Sequence, residues 1–481
     1  MPARQTLLLA LGYLAVAFGL YAGGLRGGLI SDDWFLLRAP EIQELSAANL
    51  GAILAPSGTV SQTYVNYSPL HALLHALEVR AFGAWLPGFH AVNVVVHALV
   101  SALLVALFVD TGIPRWAALA AGTLFLVHPA NVEAVAWISQ LKTLSAAALA
   151  IGALLARRRR ALSTLLFALA LLAKAQAAFA LPVLAALEWS EAGGRRDPAR
   201  WRWLGAWALA FAAYAWLEGR VYAHVGAHSN PALAGDRLLH LRQIAAVAGR
   251  YLAMAATSEG VSTLHDPPLP VSWADPWWLG GALAIALLGW RCAIALRRRS
   301  VEAAYWIWAA AGFAPVSQFF PFVNPIGDRY LYFMLPGLYG GALLAGGELL
   351  ARLPPRWRAA PETHRALAAA AIVAIGWFAA RSIERIPVFQ DDTSYLVDSA
   401  LHYPDGVSGH VLRARGHARR GEVDEAMDEL RAARRGGWTW VGILWTERDF
   451  RPLARDRRFP DFLHELGVKT TGGPPPAPPG P

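Results

Sequence analysis

Asp32-Asp33-Trp34 places two adjacent carboxylates immediately after the first apolar run, Thr6 to Gly24. Two acids at the edge of a membrane-length segment cost mutual repulsion and desolvation, so they call for a task. The chemistry open to such a pair is proton abstraction, with one carboxylate taking a proton from an attacking hydroxyl. The competing reading is structural, with Ser31-Asp32-Asp33 capping a helix in an exposed loop.

Lysine is the second anomaly. Only Lys142, Lys174 and Lys469 occur, so 40 of the 43 basic residues are arginine. A high-GC genome explains the arginine bias but not why two lysines survive inside apolar segments. An intramembrane lysine is expensive and marks a site unless it snorkels from a helix end. Lys174 falls at the junction of two short spans. Lys142 falls about 16 Å into its span, which requires a water-filled cavity or a span that starts later. Arg329, in Gly327-Asp328-Arg329-Tyr330, adds a guanidinium at a span end, suited to gripping phosphate in bidentate fashion.

The elements that must position these groups are membrane helices. Hydrophobic residues make up 56% of the chain and charged ones 16%, with 20 Trp, well away from a soluble composition. Apolar runs of bilayer-crossing length are expected near 6–24, 88–109, 115–128, 131–154, 160–174, 175–190, 202–223, 276–296, 301–320, 329–350 and 366–382. The pairs 160–174 and 175–190 are short enough to be one broken or re-entrant unit. The first run has a weak positive flank (Arg4) and no clear cleavage site, and reads as a retained anchor. With a cytoplasmic N-terminus, Arg115, Arg157–Arg160, Arg195-Arg196, Arg297–Arg299 and Arg352/Arg356/Arg358 all fall inside. The Asp32-Asp33 loop, His128-Pro129, the 224–275 loop, Asn324–Arg329 and everything after Arg381 then fall outside. The net charge of +9 therefore reads as orientation rather than nucleic-acid binding. The lone Cys292 excludes an intramolecular disulfide and any multi-cysteine metal site.

A series of short motifs resembles the bacterial and eukaryotic membrane O-mannosyltransferases that carry TPR repeats. It begins with Asp32-Asp33-Trp34, Tyr67-Ser68-Pro69-Leu70 and Gly88-Phe89-His90-Ala91-Val92-Asn93 with His97. It continues through His128-Pro129, Val132-Glu133-Ala134-Val135-Ala136-Trp137, Leu171-Leu172-Ala173-Lys174, Pro182 and Leu187-Glu188-Trp189. Ala314-Pro315-Val316 and Gly327-Asp328-Arg329-Tyr330-Leu331-Tyr332 close it. Ser68 and Leu141 depart from the pattern, where relatives more often carry arginine.

The resemblance implies an all-α polytopic membrane protein of the GT-C class, with about eleven transmembrane helices over 1–384. It implies a polyprenyl-phosphate sugar donor, mannose by family default, and a hydroxyl acceptor on an exported protein or glycan. It places the enzyme in the inner membrane with its site on the outer face. Asp32 is then the favoured base, with Asp33 orienting the acceptor or holding a structural hydrogen bond. Glu133 is a second acid that either joins the site or merely favours a helix N-terminus. The leaving phosphate needs fixed positive charge, from Arg329 first, then Lys174 and Lys142. Asp328 either orients Arg329 or caps its helix, and Trp34, Tyr330 and His128 support the site. His128 reads as a buried hydrogen-bonding residue rather than a metal ligand. His224, His228 and His265 lack ligand spacing and read as loop packing or acceptor contact. His71, His75 and Glu78 read as one face of an interfacial helix. No cofactor is expected, and no metal site is convincing.

From Pro387 the composition changes. A helix over 391–402 ended by Pro404, a helix pair turning at Gly421, and a closing segment over 450–463 read as a small TPR-like domain spanning 385–470. One unit falls short of the roughly three that a stable array needs. Residues 471–481 form a Pro/Gly tail expected to be disordered. Two further classes stay open: a transporter, for which internal repeats are expected and none is seen, and a non-catalytic scaffold that would tolerate loss of Asp32 and Arg329.

Overall fold

The computed structural model describes residues 3–64, 66–191, 198–225, 236–319, 326–358, 360–438, 441 and 443–466. The Arg195-Arg196 pair, the His224 side chain, His228, Asn324, Lys469 and the tail after Thr470 lie outside them. The architecture is all-α, with helices and turns and no strand among the described residues. Among the described residues five helical stretches are long and apolar enough to cross a bilayer: Leu7–Arg26, Leu86–Asp110, Ile138–Arg158, Pro276–Arg297 and Pro361–Phe389. The chain is an all-α membrane protein.

The other expected spans differ in instructive ways. Arg115–Leu126 and Arg160–Ala173 are apolar but short. The 131–154 run is broken into Asn131–Ala136, a 3-10 turn at Ile138–Gln140 and Leu141–Leu155. The 301–320 run ends as a helix at Phe313, and 329–350 is divided between Asp328–Leu331 and Leu335–Arg352. Non-helical backbone at such depth is tolerated only where protein or a water-filled cavity satisfies it. Lys142 is thereby explained: it lies in the first turn of Leu141–Leu155, not deep within a continuous span. The 224–275 stretch, expected as a loop, contains the helix Arg237–Thr257. This helix packs against Pro276–Arg297 so closely that a Cβ on Gly281 would lie 1.8 Å from the Ala245 carbonyl oxygen.

The bundle has two polar ends. At one end Arg157 bridges Asp110 and Glu191, the latter at 2.8 Å. There Arg299 lies over the Trp189 ring at 4.6 Å, and Arg291 grips Glu302 through two N–H groups at 2.6 and 2.7 Å. Arg298 and Arg352 both reach Glu348 at that end. Of the basic clusters assigned to one side by charge, Arg157, Arg298, Arg299 and Arg352 thus meet at a single end. The helix breaks gather at the other, around residues 30–34, 133–142, 174 and 328–330. A large apolar core joins the two ends, from Tyr13 and Tyr21 through Phe125, Trp207 and Trp308 to Phe389 and Tyr395.

Asp392–His402 begins the C-terminal helices and is capped by Asp391, which accepts from the N–H groups of Thr393 and Ser394, both at 2.9 Å. Val407–Arg420 and Val423–Arg435 form an antiparallel pair turning at Gly421, whose φ of +77° favours glycine. Phe459–Glu465 packs onto them, and Val411, Ala414, Leu430, Phe450 and Phe462 form a core separate from the membrane bundle.

Candidate active site

The acidic turn is built from both ends of the chain. Asp33 is fully buried; its Oδ1 accepts from Ser139 N at 2.8 Å and its Oδ2 from Ile30 N at 3.2 Å. Burial pushes its carboxyl well above the usual carboxylate range, against the pull of those two N–H groups. Asp33 therefore ties the outer loop to the break at 137–140, which is the structural role that the sequence left open for it. Asp32 is exposed, and although it stands at the N-cap of Asp33–Leu36 its side chain makes no capping hydrogen bond. Its carboxylate is not spent on the helix.

Glu133 and Arg329 form the second pair. The backbone N–H of Arg329 donates to Glu133 Oε2 at 2.6 Å, and its guanidinium donates to Oε1. Glu133 is fully buried, so both of its oxygens serve to fix Arg329. The guanidinium also donates to the Tyr330 hydroxyl at 3.2 Å and lies over Trp137 and Tyr330, 5.3 and 4.7 Å from the ring centres. Asp328 neither orients Arg329 nor caps its helix. It accepts instead from His265 Nε2 at 2.7 Å and Ser262 N at 3.3 Å, with Arg385 3.7 Å from its other oxygen. Asp328 and His265 thus fasten the 258–266 segment to the bundle. His265 therefore packs this loop through Asp328.

The two lysines converge on this place. Lys174 occupies an extended break between helices, with φ −161° and ψ +132°. Its Nζ donates to Thr143 Oγ1 at 2.8 Å and stands 5.6 Å from the ring centres of both Tyr330 and Phe333. Lys142 stands within electrostatic reach of Asp32, Asp33 and Arg329, and Lys174 within reach of Lys142, Arg329 and Glu133. Lys142, Lys174 and Arg329 all retain partial exposure. Three partly exposed basic side chains within electrostatic reach of one another, with the exposed Asp32 within reach of Lys142, can hold a phosphate while a proton is removed nearby.

Supporting residues have defined tasks. Asn93 Nδ2 donates to the carbonyls of Val135, Trp137 and Ile138 at 3.2, 3.0 and 3.4 Å, clamping the broken segment that carries Glu133. His97 bridges the Tyr332 hydroxyl at 2.9 Å and the Leu126 carbonyl at 3.0 Å. His128 Nε2 bonds the Ala255 carbonyl at 3.3 Å while Nδ1 accepts from Ala130 N at 3.2 Å, which fixes a neutral tautomer with the proton on Nε2. His71, His75 and Glu78 are not a surface face, since all three are buried within the helix Pro69–Phe82. His75 lies 2.6 Å from Glu78, and burial with the nearby Lys142 and Lys174 charges holds the His71 imidazole well below its ordinary range. Among the described residues no group of three or more His, Cys, Asp or Glu side chains could hold a metal.

Sequence reasoning missed Asp392. Its Oδ1 accepts from Ser31 N and its Oδ2 from Trp34 Nε1, both at 2.9 Å, across some 360 positions of chain. No motif signalled it, because its partners are set by tertiary docking alone.

No family model matches the chain, and no solved structure matches it. The chain is 38% identical over 134 residues to the protein O-mannosyl-transferase Tmtc1 of Drosophila melanogaster, a stretch covering 26% of this chain and 15% of that protein. It is 33% identical over 133 residues to the protein O-mannosyl-transferase Tmtc2 of the same organism, covering 26% and 14%. The matched stretch is thus about a seventh of the length of these curated relatives. The similarity is to protein O-mannosyl-transferases, over that stretch.

Proposed function

We propose that this protein is a membrane glycosyltransferase of GT-C type. It moves one monosaccharide, mannose by its resemblance, from a polyprenyl-phosphate donor to a hydroxyl on an exported protein, at the outer face of the inner membrane. The observation that carries this reading is the exposed Asp32 within electrostatic reach of Lys142, which is itself within reach of Lys174 and Arg329. In the single inverting step the acceptor oxygen bonds to the anomeric carbon as the bond from that carbon to phosphate oxygen breaks. The electron pair leaves with the phosphate, whose growing charge the three cations stabilise. The hydroxyl proton passes to Asp32. Glu133 acts through Arg329 and Asp33 acts through the loop, so neither is needed as the base.

Topology follows the same reading. The end holding Arg157, Arg291 and Arg298 faces the cytoplasm, and the helix-break end faces outward with the C-terminal helices, which act as a small TPR-like module beside the acceptor. The test is to supply membranes containing the protein with radiolabelled polyprenyl-phosphate mannose, glucose and galactose in parallel. Label entering a protein fraction from one of them supports the reading, and label entering no acceptor from any of them contradicts it.

A further inference from the structure

The most unusual backbone at the site is that of Ser31. Its φ of +49° lies in the left-handed region, where a residue with a Cβ is strained by on the order of 1 kcal/mol or more. Something must hold it there. Its N–H donates to Asp392 Oδ1 at 2.9 Å, and Trp34, on the far side of Asp32-Asp33, donates its indole N–H to Asp392 Oδ2 at the same distance. One carboxylate therefore brackets the acidic pair from both sides. The attachment extends further: Gly28 N donates to the Gln390 carbonyl at 2.8 Å, and Gln390 Nε2 donates to the Gly23 carbonyl at 3.1 Å.

We propose that Asp392 is the positioning residue for the base, setting the turn at Ser31 so that Asp33 turns inward and Asp32 outward. The inference rests on the glycosyltransferase reading and deepens it. Asp33 is pinned from below by Ser139 N, but that contact fixes only the inward carboxylate. The outward direction of Asp32 depends on the residues that flank the acidic pair, Ser31 and Trp34, and both are held by Asp392. The first C-terminal helix is thus part of the active site, and any acceptor-induced tilt of Asp392–His402 reaches Asp32 through two hydrogen bonds.

The full-length protein in proteoliposomes, as wild type, Asp392→Asn, Asp392→Glu and Trp34→Phe, provides the test. Asparagine keeps the size but presents one acceptor to two donors; Trp34→Phe removes only the indole N–H. Two readouts are taken: sugar transfer against donor concentration, and hydrogen exchange of peptides covering 27–38. The expected result for Asp392→Asn is a kcat lowered roughly tenfold or more with donor KM nearly constant, as for a displaced base. Exchange in 27–38 accelerates while peptides from 86–110 keep their wild-type rates; Trp34→Phe shows a weaker version of both. Wild-type exchange in 27–38 for Asp392→Asn and Trp34→Phe overturns the proposal, as does accelerated exchange with unchanged kcat. Wild-type protein that transfers no sugar contradicts the glycosyltransferase reading instead, and the exchange comparison still decides whether Asp392 holds the turn.

Discussion

Arg329 and Glu133 are joined twice, once through the Arg329 backbone N–H and once through its guanidinium, with the carboxylate fully buried. A backbone contact fixes where the arginine starts and a side-chain contact fixes where it ends. The pair is therefore a rigid mount for the guanidinium that the proposed function sets against the donor phosphate, rather than an acid awaiting substrate.

Glu133→Gln follows from that mount. The amide keeps the shape but presents an NH2 to one of two donors and leaves the guanidinium without its counter-charge. Breaking a buried pair by one partner costs about 3–5 kcal/mol. The expected outcome is a clearly lowered Tm in detergent together with a raised donor KM, measured by scanning calorimetry and by transfer kinetics. An unchanged Tm would mean that Glu133 is not the anchor.

The two adjacent aspartates should behave oppositely. Asp33→Asn leaves one of two buried N–H donors, from Ile30 or Ser139, facing an amide NH2, a loss of about 1–3 kcal/mol. Asp32→Asn touches an exposed side chain that caps nothing and should leave stability within about 0.5 kcal/mol. Urea titration of the two variants, compared with wild type, checks the contrast. A destabilised Asp32→Asn would return that residue to the capping role.

Lys174 should act on the donor. Its ammonium is held by Thr143 Oγ1 and two aromatic faces, so Lys174→Met removes charge while retaining bulk. The expected outcome is a donor KM raised by roughly tenfold or more, from one lost charge-assisted phosphate contact. Thr143→Val should give a smaller change in the same direction. Equal loss from both would point to a packing role instead.

Docking of the C-terminal helix should depend on pH. Burial pushes the Asp392 carboxyl up to about 6, with Glu447 and Asp391 adding in the same direction and the Ser31 and Trp34 donors opposing it. The docked state binds this proton more tightly than the undocked state. Its contribution is thus complete below the ordinary carboxylate value and is lost as pH rises through about 6. Asp33, raised by burial as well, has the same sign. Protection of the segment 27–38, corrected for intrinsic exchange rate, should fall between about pH 4 and pH 6, with a shallower slope in Asp392→Asn. A slope of the opposite sign would contradict the buried setting of Asp392.

Much of the candidate site was legible in the sequence because its residues are expensive. Asp32-Asp33, Lys142, Lys174 and Arg329 stand out against an apolar background, and the structure brings them to one end of the bundle. The roles were harder to read. Glu133 and Asp328 look alike as acids near helix starts, yet one fixes Arg329 and the other fixes His265 and Ser262. Spacing cannot separate them, because each partner lies more than sixty positions away. The helix breaks were also hidden: 131–154 has no Pro and no Gly before Gly152 to mark an interruption, and Asn93 reaching three carbonyls across it reveals where it is broken. The helix Arg237–Thr257 was missed because its arginines dilute the apolar signal, although small residues at Ala245, Gly249 and Gly281 let it pack tightly.

The most direct test is sugar transfer from radiolabelled polyprenyl-phosphate mannose by wild type, Asp32→Asn and Arg329→Ala at equal expression. The account predicts label reaching protein with wild type, loss of transfer with Asp32→Asn at unchanged stability, and loss with Arg329→Ala. Transfer that persists at the wild-type rate in Asp32→Asn would contradict Asp32 as the base.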